Sequence, residues 1–207
     1  MELADDDIKS AYELAKKLGV DENKIKLACK LADEMGYLPL ALSQACAYIK
    51  ENKSEISDYL KLFKNKKNQR KYTLPPVRER KDYPFTVDTT WSISVDKIKE
   101  KCSHGHYLLN LCAFMAPERI PIELIKKGHR HLYGEGSEIF SDDIILNEAK
   151  SSLLRYSLVD YNNKMLSVHR LVQLVTRNNI DDELSVWIRS LIKTVDAILP
   201  QDPYIKK

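Results

Sequence analysis

The chain is poor in the residues that build phosphate loops and cross-links. It holds six glycines among 207 residues, and none falls in a G-x-x-x-x-G-K-[ST] pattern. The close pair Gly134 and Gly136, in "LYGEGSE", lacks the lysine that such a loop extends to a phosphate. No apolar run ends in paired acids after a strand. Hydrolysis of a glycine-cradled, magnesium-bound nucleotide is therefore not expected of these residues by themselves, and the chain reads as a non-enzyme. The four cysteines, Cys29, Cys46, Cys102 and Cys112, form no C-x-x-C pair. Cys29, Cys46 and Cys112 sit among helical apolar residues, where reduced thiols usually lie. No apolar run is long enough to span a bilayer. "MELADDDIKS" is acidic rather than basic and then apolar, so no export signal is expected there and the predicted location is cytoplasmic. A net charge of +3 is too small to imply a nucleic-acid partner.

What is present is a helical pattern. Hydrophobic residues make up 43% and charged residues 30%, enough apolar surface for one large core or two small ones. Residues 5–18 place Ile8, Ala11 (or Tyr12), Ala15 and Leu18 at helical spacing, with Gly19 as a stop. Asp21 opens a second helix with Ile25, Ala28, Leu31 (or Ala32) and Met35 on one face. Gly36 suits the residue after its end, and Pro39 suits the first position of a third helix, where the missing N–H costs nothing. That helix carries Leu38, Leu42, Ala45 and Ile49 on one face, with Ala41, Cys46 and Ala47 beside them. A fourth follows Ser54 or Ser57, with Ile56, Leu60 and Phe63 inward. Residues 1–66 read as a four-helix unit with short loops. Residues 67–88 are basic, contain Pro75, Pro76 and Pro84, and read as a linker.

A second unit is expected over residues 89–179. Ser94 is a candidate cap for a helix bearing Val95, Ile98 and Cys102. Another helix is predicted from about Gly105 to Met115. "ERIPIELIKKG" starts a third at Pro121 and ends it at Gly128, and Ser141 or Asp142 opens a fourth. The period then changes: "SLVDY", a turn at Asn162-Asn163, and "KMLSV" read as a hairpin. "HRLVQLVTRN" returns to helix. Helices followed by a hairpin wing predict a winged helix. Residues 180–207 hold one more amphipathic helix, predicted to turn Leu184, Ile188, Leu191, Val195 and Ile198 (or Leu199) inward, as the start of helical repeats. The predicted fold class is mainly α: a small helical bundle followed by a winged helix with a short β-hairpin wing.

Several motifs carry a resemblance. "GYLPLAL" at 36–42 resembles the G-x-P motif of NB-ARC-type STAND nucleotide switches. "TTWSIS" at 89–94, "YLLNLCAFMAPERIPIELI" at 107–125, "LLRYSLV" at 153–159 and "VHRLVQ" at 168–173 resemble that family's winged-helix region, in the same order. The pattern is similar to members with tetratricopeptide tails. The resemblance implies the helical subdomain and winged helix of such a switch without its P-loop domain. It implies that Pro39 closes over adenine, with Gly36 shaping the turn and Leu38 lining it, and that His169 contacts the β-phosphate of ADP. The family's M-H-D motif reads Val168-His169-Arg170 here, so Arg170 stands where an acid is usual. ADP or ATP is then expected only together with the missing nucleotide-binding domain, and no cofactor for the isolated chain. The implied partners are a nucleotide-binding domain of the same or a companion chain and helical repeats downstream. The resemblance leaves room for oligomerisation of the full protein, and no membrane partner is expected.

The residues themselves also place His169 at a strand-to-helix junction, where free N–H groups and the positive dipole end favour an anion; a capping histidine is the plainer alternative. A stand-alone nucleic-acid-binding winged helix is the second functional reading. It is disfavoured because the helix before the wing, 141–156, carries Asp142, Asp143 and Glu148 against Lys150 and Arg155. The basic stretch of Lys64, Lys66, Lys67, Arg70, Lys71, Arg78, Arg80 and Lys81 reads as a solvated linker. The pairs His104/His106 and His129/His131 have no zinc-site spacing.

Overall fold

Residues 21–73, 83–134, 138, 140–180 and 184–198 are described by a computed structural model of the chain. Among them are nine α-helices, one 3-10 turn and a three-stranded antiparallel sheet, so the chain is mainly helical as predicted. The chain divides into two units, Met1–Ser94 and Val95–Lys207. The helix expected over 5–18 lies outside the described residues.

In the first unit, α1 (Glu22–Glu34) begins where Asp21 Oδ1 accepts from the Lys24 amide at 3.1 Å. This satisfies one of the four orphan donors of a helix start. Ile25, Leu31 and Met35 are buried. The helix α2 (Pro39–Glu51) buries Ala41, Gln44, Ala45 and Tyr48. Of the face expected from sequence, Ala45 and the flanking Ala41 are buried, while Leu38, Leu42 and Ile49 are only half-buried. The rotation follows from the partners. Tyr48 packs on Tyr59 of α3 (Ile56–Thr73), ring centroids 5.3 Å apart. Gln44 Oε1 accepts from the Thr90 hydroxyl at 2.7 Å.

The stretch 67–88, expected to be a linker, is helical at both ends. The helix α3 continues to Thr73, α4 (Tyr83–Lys101) begins well before Ser94, and residues 74–82 lie outside the described ones. Lysine-rich sequence is good helix material when one face stays in water. Lys64 pairs with Glu34 at 2.9 Å, and Lys67 lies over the Phe63 ring. Ser94 caps nothing; it is buried inside α4.

In the second unit the order after α4 is α5 (Ser103–Cys112), β1 (Ile120–Pro121), α6 (Ile122–Gly128), a 3-10 turn (His129–His131), α7 (Asp143–Arg155), β2 (Asp160–Asn162), β3 (Met165–Ser167), α8 (Arg170–Asn178) and α9 (Leu184–Ile198). The sheet order is β1-β3-β2, with Ile120 opposite Leu166 and Tyr161 opposite the same residue on the other side. The strand β1 is a finding: "ERIPIELI" reads as a helix start alone, because a two-residue strand leaves no alternation to detect. The hairpin turn is Asn163-Lys164, one residue later than expected. Both take positive φ, +50° and +61°, as a type I′ turn demands. Asn162 is occupied by pairing with Met165. Asp142, rather than Ser141, caps α7 through the Ile144 amide at 2.7 Å.

The unit's core is made of Leu108, Leu109, Leu111 and Cys112 from α5, with Leu146, Ala149 and Leu153 from α7. These two helices come together at Gly105, where a Cβ would lie 2.1 Å from Ser152 Oγ and 3.1 Å from Ile98 Cγ2. The helices α6 and α9 meet similarly, where a Cβ on Gly128 would lie 2.2 Å from Thr194 Cγ2. That approach needs a small residue on α9, and so it selects the face of Trp187, Ser190, Leu191 and Thr194 for burial. Of the stripe expected inward, Leu184, Ile188 and Val195 are exposed instead.

Alanine normally improves a helix over glycine by up to about 1 kcal/mol. Gly105→Ala is expected to do the reverse and lower stability by about 1–3 kcal/mol through overpacking. Adding Ser152→Ala, which removes the nearest atom, should recover part of the loss. Chemical denaturation of the two variants and the double variant measures it.

Candidate functional site

Gly36, Leu38 and Pro39 lie together at the junction of α1 and α2. The Gly36 amide donates to Asp33 O at 2.8 Å and the Tyr37 amide to Ala32 O at 2.9 Å. This pair of bonds is a Schellman closure, which satisfies the last carbonyls of α1. It requires the left-handed φ of +58° at Gly36, and Tyr37 follows at +54°. Leu38 is extended (φ −78°, ψ 115°) and Pro39 takes the first helical position. The glycine and proline thus stop one helix and start the next, as their positions in the sequence predict. Gly36 and Pro39 are exposed and Leu38 is half-buried. The start of α2 has no side-chain cap.

His169 belongs to the second unit. It is the N-cap of α8, extended at φ −57° and ψ 136°, and its Nδ1 accepts from the Leu171 amide at 3.2 Å. The capping alternative is therefore what the local geometry shows. An accepting Nδ1 leaves the ring proton on Nε2, a donor on an exposed side chain. Exposed Arg170 follows at the first helical position, so the positive helix end is joined by a full positive charge.

Three contacts set where this junction sits. The Val168 amide donates to Pro117 O at 2.7 Å. The Gln173 side-chain amide donates to Cys112 O at 2.9 Å and Met115 O at 3.0 Å. The Arg177 guanidinium donates to Ala113 O. Sequence reasoning singled out "VHRLVQ" but gave Gln173 no role. The available signal was a glutamine on the inner face of a strongly amphipathic helix, beside Val172 and Thr176, where a polar side chain needs a partner.

Among the described residues, no group of three or more His, Cys, Asp or Glu is placed to hold a metal ion. Among the same residues, no helix is long and apolar enough to cross a membrane.

Residues 95–185 match a domain family described only as a domain of unknown function (DUF7779). The chain is also similar to a nucleotide-binding leucine-rich repeat (NLR)-like protein of Hyaloscypha variabilis, 28% identical over 187 residues. That similarity covers 84% of this chain and 17% of the relative, so the chain corresponds to a small part of the fungal protein's length. No solved structure matches.

His169→Ala is expected to cost about 0.5–2 kcal/mol by removing the cap. His169→Asp, which restores a capping acceptor, should recover most of that. Thermal unfolding of the two variants measures the difference.

Proposed function

We propose that the chain is a regulatory and interaction module of an NB-ARC-type nucleotide switch, made of a helical subdomain and a winged helix. The observation that carries this reading is His169: its Nδ1 is tied down as a helix cap, so its Nε2–H projects from a positive helix end, where a phosphate oxygen would be received. The element order helix, strand, two helices, hairpin, with β3 between β1 and β2, supports the winged-helix assignment. The similarity to a fungal NLR-like protein points the same way.

In this reading the module folds against a nucleotide-binding domain of the same or a companion chain. Pro39 covers the base, with Gly36 and Leu38 shaping the turn, and His169 meets the β-phosphate of ADP. Exchange for ATP releases it, a two-state element biased by the phosphates. The chain itself is not an enzyme, and it holds ADP or ATP only together with that domain. The outward face of α9 supports relay to helical repeats downstream. Ile188 and Ile192 are 46% and 63% exposed and line a groove of about 560 Å³ with Met115, Pro121 and Leu124. Contiguous apolar surface of this kind marks a docking site.

The nucleic-acid reading finds less support. Beside the hairpin, Lys126 is engaged by Asp143 at 2.7 Å and Lys150 lies over the Tyr161 ring at 4.3 Å, which takes two cations from phosphate contact.

Calorimetry with ADP tests the proposal, using the 207-residue chain alone and mixed with a separately expressed P-loop domain from a related protein. Binding is expected only in the mixture. It should weaken about tenfold in Pro39→Ala and in His169→Asn, which keeps a capping acceptor but loses the imidazole. Absence of heat in the mixture overturns the switch reading. A DNA probe retarded at low salt and released at high salt would put the nucleic-acid reading in its place.

A further inference from the structure

The groove beside α9 has a charged rim as well as apolar walls. One wall is the outward stripe of α9, Ile188, Ile192 and Val195, two turns or about 10 Å long. The facing wall is Phe114 and Met115, from the chain leaving α5, with Leu124 of α6. That wall is tied down. The Gln173 side chain donates to Met115 O, the Val168 amide donates to Pro117 O, and Phe114 stacks on Trp187 with the ring planes 12° apart.

On the outer edge of the stripe, Arg189 and Lys193 are exposed one turn apart, each next in sequence to an isoleucine of the stripe. Arg119 lines the groove and is exposed as well. None of these three cations pairs with another described residue. Elsewhere on the chain exposed lysines do find acids: Lys126 has Asp143 and Lys97 has Glu100. Among the described residues, Asp196 is the one acid that lines the groove. The rim is therefore net positive, three cations against one carboxylate.

We propose that this groove binds an acidic amphipathic helix. Its apolar stripe fills the groove, and its flanking carboxylates meet Arg189 and Lys193 on one side and Arg119 on the other. Helix-in-groove recognition uses anchors at i, i+3 or i+4, and i+7, a span of about 10 Å that matches the stripe of α9. The cations select the sign of the partner more than they add affinity. A second copy of α9 is a poor occupant, because its edge carries the same Arg189 and Lys193. A bilayer is a poor one too, because the stripe forms one wall of a concavity. Strand addition is excluded by length, since β1 at the groove has two residues. Docking at the outward face of α9 is the premise here and nucleotide binding is not, so failure of ADP to bind and failure of this helix to bind are separate results.

The probe is a fluorescein-labelled synthetic helix of about eighteen residues, with leucines at i, i+4, i+7 and i+11 and glutamates on both sides of them. A second peptide carries lysine in place of each glutamate. Fluorescence anisotropy with the 207-residue chain should show saturable, micromolar binding of the acidic peptide that weakens as salt rises. The lysine peptide should bind about tenfold more weakly, the sum of several exposed attractions turned to repulsions. Ile192→Glu should weaken the acidic peptide about tenfold or more by placing a carboxylate in the apolar stripe. The double variant Arg189→Glu with Lys193→Glu should reverse the preference, so that the lysine peptide binds tighter. All three positions are exposed, so circular dichroism should show the fold retained. The proposal is overturned if the two peptides bind alike, if Ile192→Glu leaves binding unchanged, or if the double variant keeps the original preference. It is also overturned if the chain ignores both peptides and instead sediments with phosphatidylglycerol vesicles, or forms a dimer that Ile192→Glu dissolves.

Discussion

The side-chain amide of Gln173 governs the second unit. A helix end leaves four carbonyls without intrahelical donors, and α5 ends in the middle of an apolar core. Gln173 reaches across from α8 and donates to Cys112 and Met115, while Arg177 takes Ala113. The chain leaving α5 is thereby set on a path where Pro117 receives the Val168 amide and Ile120 pairs with Leu166. Without that glutamine, Met115 O would lose its side-chain donor, while Cys112 O would keep the Met115 amide at 3.2 Å. The position of His169 is inherited from these bonds, since it sits between Val168 and the helix that Gln173 anchors.

The first unit solves a different problem. Residues 86–94 of α4 are buried without a break, although Thr86, Asp88, Thr89, Thr90, Ser92 and Ser94 are among them. A helix buried all round is normally apolar. Here the Thr90 hydroxyl donates to Gln44 of α2 at 2.7 Å, while Gln44 Nε2 and Ser94 Oγ are buried without a hydrogen-bond partner among the described residues.

The caps were the most legible part of the sequence. Asp21, Gly36, Pro39 and Asp142 act through local backbone geometry, and each can be read within a few residues of its place. Burial faces were less legible, because they depend on what packs opposite. The helix α9 has apolar residues on two faces, and the choice between them rests on the close approach of Gly128 to Thr194, far apart in sequence. The same holds for α2, where Tyr59 and Thr90 turn Tyr48 and Gln44 inward. The strand β1 is too short to show a period. Of the candidate site, the histidine and the Gly-Leu-Pro junction were found by motif. The Gln173 clamp arises from long-range contacts that no local pattern announces.

The hairpin turn has a consequence for how the second unit opens. Lys164 holds a left-handed backbone at a position where glycine would carry no strain, and its carbonyl accepts the Ile122 amide at 3.2 Å. The tip of the hairpin is therefore latched to the first residue of α6. Solvent reaches the Ile122 amide when the hairpin lifts, so the turn and the start of α6 belong to one cooperative opening unit, and their amide hydrogens exchange together although they lie about forty residues apart in the chain.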